Sequence, residues 1–435
     1  METIDTLSYT IKNVFHDTKS MKRGWRIFVG QTRPQNSNTS RENDVYMIRN
    51  NMTRSSTSRT NVPLPIQHID VSTGIQSYVA GAINVNELLV DDDDGFVLKT
   101  KVFNDVTDNM LRLATLRLEG MDVFNGGMFI VDARQIPSGC GVSPSFQLVG
   151  TPDVDTWKDS NNHVFNNIWP LKGSIDLIHQ VNNRPYNATK IHTATPCEVN
   201  IVHGTNFGEE CSHGDAFLGC SSHFDTGGQT MNKNGSVFVF EWVVSTHETD
   251  GYVRTWRFDP NNIPENLQNT MSMKCTLDRS QLRDPDTEIK LNDRDCPGSP
   301  IKDQHLVINM TICDDWANAM QCKKHGPYDI DLEAFGNQGT SCFDRIQQKM
   351  NEMVNSDGGT DPDHPSLLAY QWILNSIITL VPIVSPECHT KKEKTPINDV
   401  AYMYISIMVM LLIIVVIMVY LMICANNLMT KHKDV

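Results

Sequence analysis

The chain has 435 residues, enough for one large all-β domain with extra segments, since sandwiches of about 200–250 residues form single cores. Its 37 Lys and Arg stand against 51 Asp and Glu, a net charge of −14 at pH 7. Binding to a phosphate backbone needs clustered basic side chains, so no nucleic-acid partner is expected.

Residues 1–63 are rich in Asn, Ser, Thr and Arg without a sustained apolar period, which predicts a mobile polar arm. The first thirty residues carry no apolar run of the kind a signal peptide needs. From about Ile66 short β-like runs begin, among them Gly74–Ala80 and Gly95–Thr100, separated by Gly, Asn and Asp as in an antiparallel sandwich. Asp91 to Asp94 tempt a calcium reading, but Val90 and Lys101 fall where an EF-hand needs ligands, so a solvated acidic turn is expected.

Trp169 to Asn183 read as turn, strand and turn: Ile175, Leu177 and Ile178 supply the apolar bulk, and Gly173 and the Asn pair punctuate the ends. Strand alternation puts Ser174 and Asp176 on one face, and His179 joins them only if a bulge takes up one extra residue.

Setting aside Cys424, ten of the eleven cysteines lie in the polar part of the chain: Cys140, Cys197, Cys211, Cys220, Cys275, Cys296, Cys313, Cys322, Cys342 and Cys388. An even set without a C-x-x-C pair predicts disulfides of unspecified pairing. His203, His213 and His223 near three of them do not have the spacing of a compact zinc site, and no metal or cofactor is expected.

Leu367 to Val384 is apolar but interrupted by Gln371, Asn375, Ser376 and Thr379 and ended near Pro382, which predicts a core strand. Val400 to Cys424 is different, with Ser406 its one conventional polar side chain apart from tyrosines near the ends, and predicts a transmembrane helix. Lys391, Lys392 and Lys394 before it and Lys431 and Lys433 after it lean towards a large domain that faces the cytosol on insertion. The sequons at Asn38, Asn51, Asn187, Asn234 and Asn309 are then expected to be unused. The domain reading is a polar arm over 1–63, a sandwich over 64–385 with its body at 74–381, a linker over 386–399, the span at 400–424 and a short tail at 425–435.

The central stretch resembles glycoside hydrolase family 16, particularly laminarinase-like endo-β-1,3(4)-glucanases, in which it has the form W-P-x-x-G-E-I-D-I-I-E-x-V-N. Trp169, Pro170, Gly173, Ile175, Asp176, Ile178, Val181 and Asn182 match it. Ser174 stands where the family has its nucleophilic Glu, and His179 where it has its acid/base Glu. Elsewhere, Leu111–Leu118 with Asn125–Asp132, Ile136–Gly150, Ile191–Thr193, Phe240–Trp242, Val307–Ala317 and Ala369–Ile377 resemble family segments in the family's order. Ser143 and Gln147 replace two tryptophans of the segment resembling M-P-x-G-C-G-x-W-P-A-F-W.

The resemblance implies a two-sheet antiparallel jelly roll of the concanavalin A-like kind, with Ser174 and Asp176 on its concave face. Retaining glycosidases need two carboxyl groups about 5–5.5 Å apart, so the substitutions imply a pseudoenzyme. Trp169, Asp176, His179, His192 and Trp316 are the candidate cleft residues for carbohydrate binding. The first expectation is a degenerate, tail-anchored protein used for attachment, glycan recognition or envelope structure, with a membrane and a glycan or host-surface ligand as partners. The alternative is an active endo-β-1,3(4)-glucanase whose carboxylates lie elsewhere. Disulfides on a domain without a secretion signal resemble the layout of virion membrane proteins of large DNA viruses, which implies a single-pass protein with its large domain outside.

Overall fold

The computed structural model describes residues 7–33, 44–47, 75–78, 81–105, 110–139, 141–150, 172–182, 184, 186–193, 195–212, 219–224, 228–246, 250–273, 276–292, 296, 301–312, 350–355 and 365–383. Alternating apolar residues turn most of these segments into strands, and the strands assemble into two antiparallel sheets that form a sandwich.

One sheet, here the capped sheet, runs Asn200–His203, Thr287–Leu291, Gly251–Phe258, Ser236–Val243, Gly127–Gln135, Trp372–Ile383, Ser8–Phe15, Leu277–Asp278. Gly95–Leu98 also pairs with Trp372–Ile383 and carries Leu89–Asp92 on its other side. The other, the polar sheet, runs Thr205–Asn206, Cys220–Phe224, Asn187–His192, Ser174–His179, Val142–Gly150, Gln304–Ile312, Met110–Gly120, Trp25–Arg33, Asp44–Met47, with Lys101–Asp105 also on Met110–Gly120. Ile75–Tyr78 and Gly81–Asn84 form a separate hairpin.

Between the sheets, Phe146, Leu148, Ile175, Ile178, Ile191 and Ile308 meet Phe129, Phe238, Phe240 and Trp242 in one buried core. Phe146 of the polar sheet stacks on Phe240 of the capped sheet at 6.0 Å between centroids. The outer face of the capped sheet is apolar too: Met128, Ile130, Val237, Val239, Trp256, Ile378 and Leu380 pack there with Leu267 of the helix Glu265–Met271. That face also buries the ion-paired Glu241, Arg254 and Glu288, whereas the outer face of the polar sheet carries rows of mostly polar side chains.

The expected arm over 1–63 is corrected over residues 8–33, which belong to the sandwich. Ser8–Phe15 pairs with Trp372–Ile383, and Trp25–Arg33 pairs with Met110–Gly120. Trp25 is wholly buried and meets Phe15 edge-on at 5.5 Å, an apolar anchorage that the polar residues around it hide in a composition average. Asp17 starts the short helix Thr18–Gly24 by accepting from the Ser20 N–H at 2.6 Å, and the Ser20 hydroxyl oxygen accepts the Asp17 N–H in return. The sandwich therefore begins at the N-terminal strand, well before residue 64.

Trp372–Ile383 is the core strand expected there, held between Gly127–Gln135 and Ser8–Phe15. The acidic turn links Leu89–Asp92 to Gly95–Leu98, with Asp93 and Asp94 exposed; Asp91 accepts from Thr18 at 2.7 Å and Asp92 pairs with Arg134. Among the described residues no helix is long and apolar enough to cross a membrane, and 386–435, with the expected span, lies outside them.

Candidate functional site

Ser174–His179 lies between Val142–Gly150 and Asn187–His192 in the polar sheet. Its pairing slips between Asp176 and His179 on one side, and between Phe146 and Gln147 on the other, so the expected bulge is present. Leu177 and Ile178 both turn into the core, and His179 returns to the face of Ser174 and Asp176.

Cross-strand register builds two rows on that face. Glu119, Val307, Gln147, Asp176, Lys190 and Ser221 follow one another across six strands; Asn309, Ser145, His179, Ala188 and His223 form the next row. Ser174 sits opposite His192. The Asp176 Oδ2 lies 3.7 Å from His192 Nε2 and 3.9 Å from His179 Nδ1.

Burial pushes the Asp176 carboxyl up, but the hydrogen bond with His192 and the charges of His179, His192 and Lys190 outweigh it and hold the group below its ordinary value. His179 is driven well below the usual imidazole value by burial and then by Lys190, against the pull of Asp176. The result is a carboxylate held charged beside a neutral imidazole.

Ser174, Asp176, His179 and His192 thus come together as expected. The open concave floor does not: Ser174 is 0% and Asp176 7% exposed, because Gln147, Lys190, His179 and His192 crowd the same face. Trp169 and Trp316 lie outside the described residues, as do Cys140, Cys275, Cys313, Cys322, Cys342 and Cys388. The other four cysteines form two disulfides, Cys197–Cys296 and Cys211–Cys220. Among the described residues no group of His, Cys, Asp and Glu could hold a metal ion.

Two features escaped sequence reasoning. Lys190 faces Asp176 from the next strand, which the two-residue alternation with His192 could have indicated. Tyr186, His223 and Phe207 stack at the end of the second row, with His223 at 4.6 Å from Tyr186 and 3.7 Å from Phe207. No local signal links these three, because Phe207 is brought over His223 by hydrogen bonds to Ser221, fourteen residues further along the chain.

Residues 66–351 match the XgeA-like catalytic domain of glycoside hydrolase family 16. The chain belongs to that family. Its relatives include a probable endo-1,3(4)-beta-glucanase of Aspergillus flavus, 28% identical over 47% of this chain and 28% of its own length. A probable glycosidase of Schizosaccharomyces pombe is 26% identical over 47% of this chain and 45% of its own length. An endo-1,3(4)-beta-glucanase of Arthroderma benhamiae is 25% identical over 58% and 52%. The chain therefore spans about a quarter to a half of the length of these relatives.

The sandwich is shared with solved family 16 structures. An elongating beta-1,3-glucosyltransferase superposes with a TM-score of 0.55 at 20% identity, covering 86% of this chain and 100% of its own. A mutant Laminarinase 16A that cyclizes laminariheptaose superposes at 0.56 and 17%, with the same coverage.

Proposed function

We propose that this family 16 protein recognises a glycan without cleaving it, and that it is held at a membrane by residues 400–424, on a virion with its large domain outside. The observation that carries the reading is the distribution of carboxylates on the polar face. Among the described residues of the two rows Asp176 and Glu119 are the acids, and they stand three strands apart, roughly 14 Å at the usual strand spacing. Retaining hydrolysis needs about 5–5.5 Å and inverting hydrolysis about 6.5–9.5 Å between the two groups. Glu119 is moreover buried and bound to the Arg117 Nε at 3.0 Å.

Asp176 is then a charged, hydrogen-bonded anchor. Ser174 has no anionic oxygen to offer a sugar carbon, and His179, held neutral by burial, has only the weakly acidic N–H of an uncharged imidazole to offer a leaving oxygen. A laminarin hydrolysis assay run beside a glycan array tests the reading: the full-length protein should release no reducing ends and should retain at least one glycan. Turnover that Asp176→Asn or His179→Ala abolishes would overturn it. That outcome would favour the second reading, an active endo-β-1,3(4)-glucanase, for which the relatives named as such speak. Membrane placement is tested separately: no gel shift after peptide N-glycosidase is expected, and a shift would put the domain in the secretory lumen.

A further inference from the structure

The centre of the polar face is closed and the strand Cys220–Phe224 at its end is buried as well, but one ring stands out to solvent over that end. Phe207 is 52% exposed, the only aromatic side chain among the exposed large hydrophobic residues described. It is not a loose loop residue. Its N–H donates to the Ser221 carbonyl at 3.0 Å, the Ser221 N–H donates back to Gly208 at 3.1 Å, and the Asn206 side chain accepts from Gly208 at 2.8 Å. Beneath it the His223 ring lies nearly parallel, 14° between planes, and Tyr186 continues the stack at 22° from His223.

Backed by these two rings, the Phe207 ring presents a flat apolar face, the shape that the C–H face of a pyranose covers. The stack continues the row of His179 and Ala188, and the small Ala188 leaves the way between the two histidines low.

Two cations lie near the stack, and the acid of the Phe207 loop, Glu209, accepts from the Asn206 side-chain amide at 2.7 Å. The Arg184 guanidinium lies over the Tyr186 ring at 5.2 Å. Lys190, 8% exposed, lies one strand from Ser221 and close enough to His223 for its charge, with that of Arg184 and after burial itself, to lower the proton affinity of the ring. A neutral sugar can take only ordinary hydrogen bonds from two such cations, while a carboxylate or sulfate adds charge-assisted ones.

We propose that the Tyr186–His223–Phe207 stack, with Arg184 and Lys190 beside it, is a subsite for a pyranose ring bearing an acidic group. The inference rests on the glycan-recognition reading and names the class of glycan.

Calorimetric titration of the full-length protein in detergent, with a hyaluronan hexasaccharide, a chondroitin sulfate hexasaccharide and laminarihexaose, tests it. At least one acidic hexasaccharide should bind ten times or more tighter than laminarihexaose, and the better of the two tells carboxylate from sulfate recognition. Phe207→Ala should weaken that complex roughly tenfold, Arg184→Ala should weaken it similarly with little effect on laminarihexaose, and Phe207→Trp should retain it. Unchanged unfolding midpoints would exclude a folding defect in each variant. Equal affinity for laminarihexaose, or wild-type affinity in Phe207→Ala, would overturn the subsite while leaving glycan recognition standing. Failure of the wild type to bind any glycan, these three and the array included, would remove both.

Discussion

Two buried carboxylates, one under each outer face of the sandwich, have opposite fates. Glu241, on the capped sheet, accepts from the Tyr9 hydroxyl at 2.7 Å and has Arg254 and Arg279 each at 3.5 Å, yet its burial outweighs these partners and its carboxyl is pushed up. Asp176, on the polar sheet, is held down by histidines and a lysine despite its burial. Glu241 is surrounded by two permanent charges, Arg254 and Arg279, and by the neutral Tyr9 hydroxyl, so its cluster ties the N-terminal strand to the capped sheet. Asp176 is surrounded by His179 of its own strand and by Lys190 and His192 of the next, imidazoles standing where Glu241 has guanidinium groups. The same fold thus uses one acid as a lock and keeps another within an adjustable polar surface.

Separating the two faces at the edge they share should have the largest effect. Cys197–Cys296 closes a loop of 99 residues and Cys211–Cys220 one of 9. Chain-entropy arguments give about 4.7 kcal/mol for the first and about 2.6 kcal/mol for the second. Paired Cys→Ser variants, compared by urea unfolding under oxidising conditions, should rank in that order.

Glu241→Ala leaves Arg254 and Arg279 without their shared acid and should cost about 3–4 kcal/mol, whereas Asp176→Asn, which keeps the side chain's size and leaves Lys190 as the one permanent charge beside it, should cost about 1 kcal/mol. Equal costs in denaturant unfolding would erase the distinction between lock and adjustable surface.

A smaller effect concerns pH. His223, stacked and buried, titrates at about 4 instead of 6.5, and His179 is lowered as well. Between these limits the unfolded chain binds protons that the folded one does not, so stability should rise with pH from about 4 to 6.5. His223→Gln should flatten part of that slope in unfolding midpoints collected across the range. The depressed Asp176 acts lower: its contribution is present above the ordinary value of 3.8 and fades as pH falls through its folded value. Asp176→Asn should therefore remove an acid limb and leave the histidine limb in place.

The smallest change expected is in catalysis. Ser174→Glu combined with His179→Glu should yield at most slight laminarin hydrolysis, measured as reducing ends, because both positions are crowded and Ser143 and Gln147 offer no aromatic face.

Much of the polar sheet was legible because its signals are local. Ser174 to His179 carry their own alternation and the need for a bulge, and polar interruptions identify Trp372–Ile383 as a strand. The N-terminal strand was not legible, since Tyr9 and Trp25 draw their meaning from Glu241 and Phe15 and not from their neighbours in sequence. Disulfide partners and the Tyr186–His223–Phe207 stack are likewise products of tertiary path. The closure of the floor over Ser174 depends on the sizes of Gln147, Lys190 and His192, which resemblance to a motif does not report.

Gly204 joins Asn200–His203, the end strand of the capped sheet, to Thr205–Asn206, the end strand of the polar sheet. Its φ of +90° suits glycine, and an added Cβ would come within 2.9 Å of the His223 carbonyl. Within the sandwich, Thr189 of the polar sheet bonds Thr255 and Thr287 of the capped sheet at 2.9 and 3.1 Å beside this crossing. Each sheet thus ends here in a strand of four residues or of two. So short a border gives a second molecule little backbone to pair with, and the chain is guarded against edge-to-edge aggregation on the side where the two sheets part.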